Sequence, residues 1–202
     1  MSPDGLLRPL NRQQREARHG HRGVALLLTG LPAAGKSTLA RALETRLFAR
    51  GGQCLVLDGD QLRSGLNRDL GFSESDREEN LRRAAEMAAL LVEAGVVVAM
   101  AMIAPLARHR HLLAERLGAD YREVWCRAAL HSCERRDPKG HYALARAGQL
   151  ASFTGVSAPY EPPLAPAPIL DCDACSVADN VERLLQWMGG EGLLAPLAQN
   201  SQ

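Results

Sequence analysis

Gly30-Leu31-Pro32-Ala33-Ala34-Gly35-Lys36-Ser37-Thr38 fits the pattern G-x-x-x-x-G-K-[ST], with an apolar run before it and a helical pattern after it. Backbone N–H groups of such a turn point inward at an anion, and the helix N-terminus adds its partial positive charge. Gly30 and Gly35 allow backbone angles and a close approach that a Cβ would obstruct. Pro32 lacks an N–H but precedes the donors nearest the helix. Lys36 supplies a movable point charge to the outer phosphates of a nucleoside triphosphate, and the Ser37 hydroxyl can complete a magnesium shell.

An acceptor and its base need other residues. The run Val96 to Met102 ends in Ile103-Ala104-Pro105 with no carboxylate, so acids must come from Asp58-Gly59-Asp60, at the carboxyl end of the second strand. Asp60 and Arg63, one helical turn apart, could present a base and an anion clamp on one face. The same triplet also suits a plain turn with a helix cap. Arg77, Arg82 and Arg83, with Asn80 beside them, open a long helical pattern rich in glutamate. Arginines there are either paired surface charge or, as for Arg77 in the first turn, able to reach over the strand ends. Aromatic residues make up only 4% of the chain, yet Phe72 and Phe153 both fall in loops. They either anchor those loops or sandwich a flat base. Of 24 basic residues only Lys36 and Lys139 are lysine.

These residues need a scaffold, and the pattern supplies one. Strands are expected at Val24–Thr29, Cys54–Leu57, Val96–Met102, Tyr121–Cys126 and Ile169–Cys172. Helices are expected at Lys36–Arg50, Asp76–Glu93, from Pro105 to Leu117, at Leu130–Arg136 and at Val177–Met188. Alternation of this kind predicts an α/β, three-layer P-loop kinase fold, a parallel sheet of about five strands with helices on both faces. Residues 1–22 read as a basic arm with a helix at Asn11–His19 and solvated charges, 23–188 as the domain, and 189–202 as a frayed tail. Within the domain 137–163, rich in Gly and Pro, reads as a mobile lid. A chain of 202 residues with 46% hydrophobic content and net charge +1 is one domain with a sizeable core. Its charge balance speaks against nucleic-acid or membrane-surface binding. Five irregularly spaced cysteines without an apolar signal segment indicate a reduced, cytoplasmic protein. Cys172 and Cys175 have the spacing of half a zinc site, without a second pair to complete it.

Together with Gly30–Ser37, the stretches Leu57–Arg63, Gly65–Ser73, Asp76–Asn80, Arg135–Gly140, Ala145–Gly148, Phe153–Gly155 and Tyr160-Glu161 closely resemble the adenylyl-sulfate kinase family, from about Arg22 to Met188. The resemblance implies transfer of phosphate from ATP, with magnesium, to the 3′-hydroxyl of adenosine 5′-phosphosulfate (APS). It implies that Gly30–Thr38 and Arg146 bind ATP, and that Asp60 orients or deprotonates the acceptor and lies near the metal with Ser37. Arg63, Arg77 and Asn80 would bind phosphosulfate and ribose, Phe72 and Phe153 the adenine, with Ile103 and Ala104 alongside. Lys139 would reach in from the lid, and the chain would be a homodimer.

The chain departs from the family pattern in five places. Ala104 stands where a serine is common, which excludes a phosphoserine at that position and implies direct transfer. Ser157 and His141 replace lid residues that are usually Asp and Leu, and Cys126-Arg127 replaces Val-Asp. The arm lacks the usual Trp-His pair. Two other readings stay open: a kinase for another small molecule, and a nucleotide-binding regulatory module without turnover.

Overall fold

Val24–Thr29, a continuous apolar run, forms β1 at the centre of a five-stranded parallel sheet of order β2-β3-β1-β4-β5. The other strands are β2 (Cys54–Asp58), β3 (Val97–Ala101), β4 (Tyr121–Arg127) and β5 (Ile169–Asp171). The computed structural model describes residues 9–194. Alternation along β1 divides the core between two faces. Val24, Leu26 and Leu28 meet Leu39 and Leu43 of α2 (Lys36–Phe48) and Leu184 and Met188 of α8 (Val177–Gly190). Ala25 and Leu27 meet Leu81, Ala84 and Ala88 of α4 (Glu74–Glu93) and Leu113 of α5 (Ala107–Leu117). The predicted three-layer α/β architecture is therefore present, and crossover helices on both faces bring all five strand ends to one edge.

Local chemistry moves some boundaries and adds two helices. Ser73 accepts a hydrogen bond from the Asp76 N–H at 3.1 Å, so α4 begins at Glu74 rather than Asp76. Asp58 caps a short helix α3 (Gly59–Ser64) in what reads as a loop. Past α6 (Leu130–Arg136), the Gly/Pro-rich segment holds α7 (His141–Arg146), with Tyr142 and Ala145 buried.

The arm and tail are better anchored than their composition suggests. Helix α1 (Arg12–His19) begins with a reciprocal cap between Asn11 and Gln14. Two of its charges are paired rather than solvated: Arg12 donates to Glu16 at 2.8 Å, to both Asp120 oxygens at 2.6 Å and to the Gly23 carbonyl at 2.8 Å, while Arg18 is exposed as expected. At the other end the Arg22 N–H donates to the Leu193 carbonyl at 2.9 Å, and Leu193 is buried. The expected fraying after Gly189 thus does not hold through Leu194; the rest of that tail lies outside the described residues.

Replacing Arg12 with alanine should loosen α1 without unfolding the domain. Hydrogen exchange should show the α1 amides losing at least about tenfold protection. The Tm should fall by no more than about 2–4 °C, as befits a partly exposed ion pair. Unaltered exchange would mean that other contacts hold the arm.

Candidate functional site

The loop between β1 and α2 opens a cleft of about 910 Å³ at the carboxyl ends of β1, β2 and β3. Gly30 has φ 157° and Gly35 φ 101°, and a Cβ on Gly30 would lie 2.5 Å from the Cys126 carbonyl oxygen. Glycine is required there by both angle and space. Pro32 to Thr38 line the cleft. Lys36 is buried, and its Nζ donates to the carbonyls of Gly30 at 3.0 Å and Leu31 at 2.7 Å. Burial pulls its pKa down, and among the described residues no carboxylate forms an ion pair with it. Gly30 and Leu31 thus act through their backbones; the Leu31 side chain faces a neighbouring pocket beneath Gly155 and Pro159.

The Asp58-Gly59-Asp60 triplet resolves into two roles. Asp58 is the cap: its Oδ1 accepts from the Asp60 N–H at 2.9 Å, and it is buried. Asp60, in the first turn of α3, keeps its own carboxylate in the cleft, where it pairs with Lys139 from the lid. Two of the three candidate catalytic side chains, Asp60 and Lys139, far apart in sequence, are therefore brought into contact.

Opposite the loop stands a basic and aromatic wall. Arg63 lies over the Phe72 ring at 4.7 Å and Arg77 at 5.9 Å. Arg63 donates to the Gly71 carbonyl at 2.6 Å, Arg77 to those of Phe72 at 3.0 Å and Ser152 at 2.9 Å. Burial lowers the pKa of both, and for Arg63 the neighbouring Arg77 adds to the effect. Neither has a carboxylate partner among the described residues, whereas Arg82 and Arg83 are paired with Glu79 and Arg83 also with Asp69. That contrast sets Arg63 and Arg77, unpaired in the cleft, apart from paired surface charge. Asn80 is buried and accepts from Asn67 Nδ2 at 3.0 Å. Ile103 and Ala104 line the floor; the Ala104 carbonyl accepts from Arg110 at 3.1 Å.

Both predicted aromatics line the cleft, held by different partners. Phe72 is exposed beneath the arginines, while Phe153 packs edge-on against Tyr142 at 4.9 Å and His141 at 6.2 Å. Tyr142 also donates to the Pro32 carbonyl at 3.0 Å, joining lid to phosphate loop. Arg146 is not brought into the cleft: it pairs with Glu134 at 2.5 Å on the outer side of α7. Sequence reasoning missed His109, Tyr142, Arg136 and Asn180, all of which line the cleft. His109 sits in an Arg/His-rich run that looks like solvated surface, and nothing in its type or spacing marks it.

A family model described as adenylylsulphate kinase matches residues 22–171. The chain belongs to the adenylyl-sulfate kinase family. It is 46% identical over 185 residues to the adenylyl-sulfate kinase of Pseudomonas entomophila (strain L48), covering 91% of this chain and 89% of that one. Among solved structures it is similar to the Mycobacterium tuberculosis APS kinase CysC in complex with AMPPNP and APS. That match has TM-score 0.81 and 44% identity, and covers 84% of this chain and 99% of that chain. A hexameric APS kinase from Thiobacillus denitrificans is similar at TM-score 0.65 and 29% identity, covering 91% of this chain and 31% of that one. Most of the motifs that carry the resemblance to adenylyl-sulfate kinases contribute residues to this cleft; Ala145–Gly148 and Tyr160-Glu161 do not.

Burial lowers the Lys36 pKa, so placing this amine in the folded protein costs stability at any pH below the ordinary lysine pKa. Lys36→Met should therefore raise the Tm of the ligand-free protein, by about 2–4 °C, while abolishing the further rise that ATP produces. A lower ligand-free Tm would show that the two carbonyl hydrogen bonds outweigh desolvation.

Proposed function

We propose that the chain transfers the γ-phosphoryl group of ATP directly to the 3′-hydroxyl of APS, giving 3′-phosphoadenosine 5′-phosphosulfate (PAPS) and ADP. The observation that carries this reading is the Asp60–Lys139 contact, set in a cleft between a phosphate loop and two arginines without carboxylate partners. One wall suits a triphosphate; the other suits a second anionic nucleotide with a flat base.

In this reading the loop from Gly30 to Thr38 grips the ATP phosphates, and Lys36 exchanges its two carbonyl partners for phosphate oxygens. The cleft also presents Ser37, Asp58 and Asp60, oxygen donors of the kind magnesium takes. Ser37, with Asp60 nearby, would hold a magnesium ion carried by ATP, which neutralises charge on the transferring group. Arg63, Arg77 and Asn80 bind the phosphosulfate and ribose, Phe72 and Phe153 flank the adenine, and Ile103 and Ala104 support it. Asp60 orients the 3′-hydroxyl and accepts its proton, and Lys139 offsets the charge that develops between the two nucleotides. Ala104 has no hydroxyl, so no enzyme-bound phosphate at that position intervenes.

The lid substitutions are accommodated rather than disruptive, which favours an active kinase over a silent binding module. The Ser157 hydroxyl accepts from the Phe153 N–H at 2.9 Å, and His141 packs on Phe153. No described helix is long and apolar enough to cross a membrane. A cytoplasmic setting is part of the proposal, supported by five unpaired cysteines. So is a homodimer, supported by exposed apolar Phe48 and Leu90.

Incubating the purified chain with ATP and APS should yield ADP and PAPS in equal amounts by chromatography. Phosphorylation of another hydroxyl compound but not APS would overturn the assignment. Asp60→Asn should lower kcat by about 10²–10⁴ while leaving the ATP-induced rise in Tm intact. Lys139→Arg should lower kcat by at least about tenfold, because a planar fork cannot replace a compact ammonium at a transferring phosphate. Full activity would mark Lys139 as surface charge.

A further inference from the structure

Among the described residues neither ring nitrogen of His109 has a hydrogen-bond partner, and the residue is 1% exposed in the wall of the cleft. Its carboxylate neighbour, Glu78, has Oε1 4.0 Å from Nε2, beyond hydrogen-bond reach. Arg77 from α4, Arg108 and Arg110 from α5, and Glu161 from the lid also face it electrostatically. Desolvation and the three arginines push its pKa down to about 4, so the ring is neutral near pH 7, with one donor and one acceptor to offer. A buried polar group left unsatisfied lowers stability, and where one persists in a binding cleft a ligand is the natural partner.

Position selects the ligand. Thr154 Oγ1 and Asn180 Oδ1 are also unpartnered and line the cleft, but His109 is the one facing Arg77, whose guanidinium lies over Phe72. A neutral imidazole suits the edge of a heterocyclic base better than a phosphate or sulfate, which Arg63 and Arg77 already serve. We infer that His109 binds the base of the acceptor nucleotide, one ring nitrogen hydrogen-bonding the purine edge while Phe72 and Phe153 flank its faces. The inference rests on the reading of this wall as the acceptor site. It concerns affinity rather than base choice, since either tautomer can meet an amino or an oxo group.

His109→Phe keeps a ring of similar size and removes both nitrogens. Calorimetry should show APS binding weakened about tenfold. The KM for APS should rise by a similar factor with kcat changing less, and the ligand-free Tm should be equal or higher. AMPPNP should bind as it does to the unaltered protein. Undiminished APS affinity, or a lower ligand-free Tm with the ligand response intact, would overturn the inference and leave a packing role. Should the variant not fold, ¹⁵N spectra of the unaltered protein decide: APS should shift one His109 ring nitrogen, and no shift refutes the contact. Failure of the unaltered protein to bind APS while it binds AMPPNP would remove the acceptor-site reading, and the inference with it.

Discussion

A lysine amine held out of water, without a carboxylate partner among the described residues, is the constraint on which this molecule depends. Lys36 can sit there only because two carbonyls of its own loop, those of Gly30 and Leu31, turn toward it. They can turn only because Gly30 adopts an angle and an approach to Cys126 that a side chain would forbid. The loop in turn is fixed by the strand before it and the helix after it. β1 is buried along its whole length between β3 and β4, and Leu39 and Leu43 tie α2 to the same core. Stability sacrificed at Lys36 is supplied by that core, and affinity for a polyphosphate is what the sacrifice makes available.

The same logic extends across the cleft. Arg63 and Arg77 lie over one phenyl ring, donate only to backbone carbonyls, and have pKa values lowered by burial. A site for two nucleotides needs several such unneutralised cations, yet the net charge of the chain is only +1. The resolution is spatial. Arg82, Arg83, Arg108, Arg116 and Arg127 are paired with carboxylates away from the phosphate loop, so the unpaired positive charge is concentrated in the cleft.

How much of this could be read in the sequence depended on whether the signal was local. The phosphate loop, the sheet and the helix phases rest on short-range pattern, and the structure reproduces them with small shifts at the ends. Helical spacing to Arg63 singled out Asp60 as the candidate base, but that Asp58 is the residue capping α3 depends on the backbone angles of the turn. Arg63 and Arg77 could be set apart from Arg82 and Arg83 by position, but that Arg82 and Arg83 are paired with Glu79 and Asp69 is visible only in the fold. α7 was hidden because glycine and proline on either side of His141–Arg146 outweighed its six residues, while the burial of Tyr142 against the phosphate loop is a tertiary effect. His109 was invisible for a related reason: a histidine among arginines looks solvated until α4 and the lid close over it.

Lysine rather than arginine at position 139 follows from the role proposed for its partner, Asp60. The Asp60 side chain is 73% exposed and that of Lys139 52%, so their ion pair is well solvated and contributes little to stability. Weakness is useful there. A carboxylate that accepts a proton from a bound hydroxyl has to be released from its cation as the acceptor arrives, and the cation has to be free to follow the charge onto the transferring phosphoryl group. A guanidinium would grip the same carboxylate with two parallel hydrogen bonds and would present a planar fork to a phosphate approached end-on. An ammonium on a flexible stem lets go easily and reorients. In a chain that otherwise uses arginine throughout, lysine is kept at the two positions, 36 and 139, where a cation must change partners during the proposed reaction.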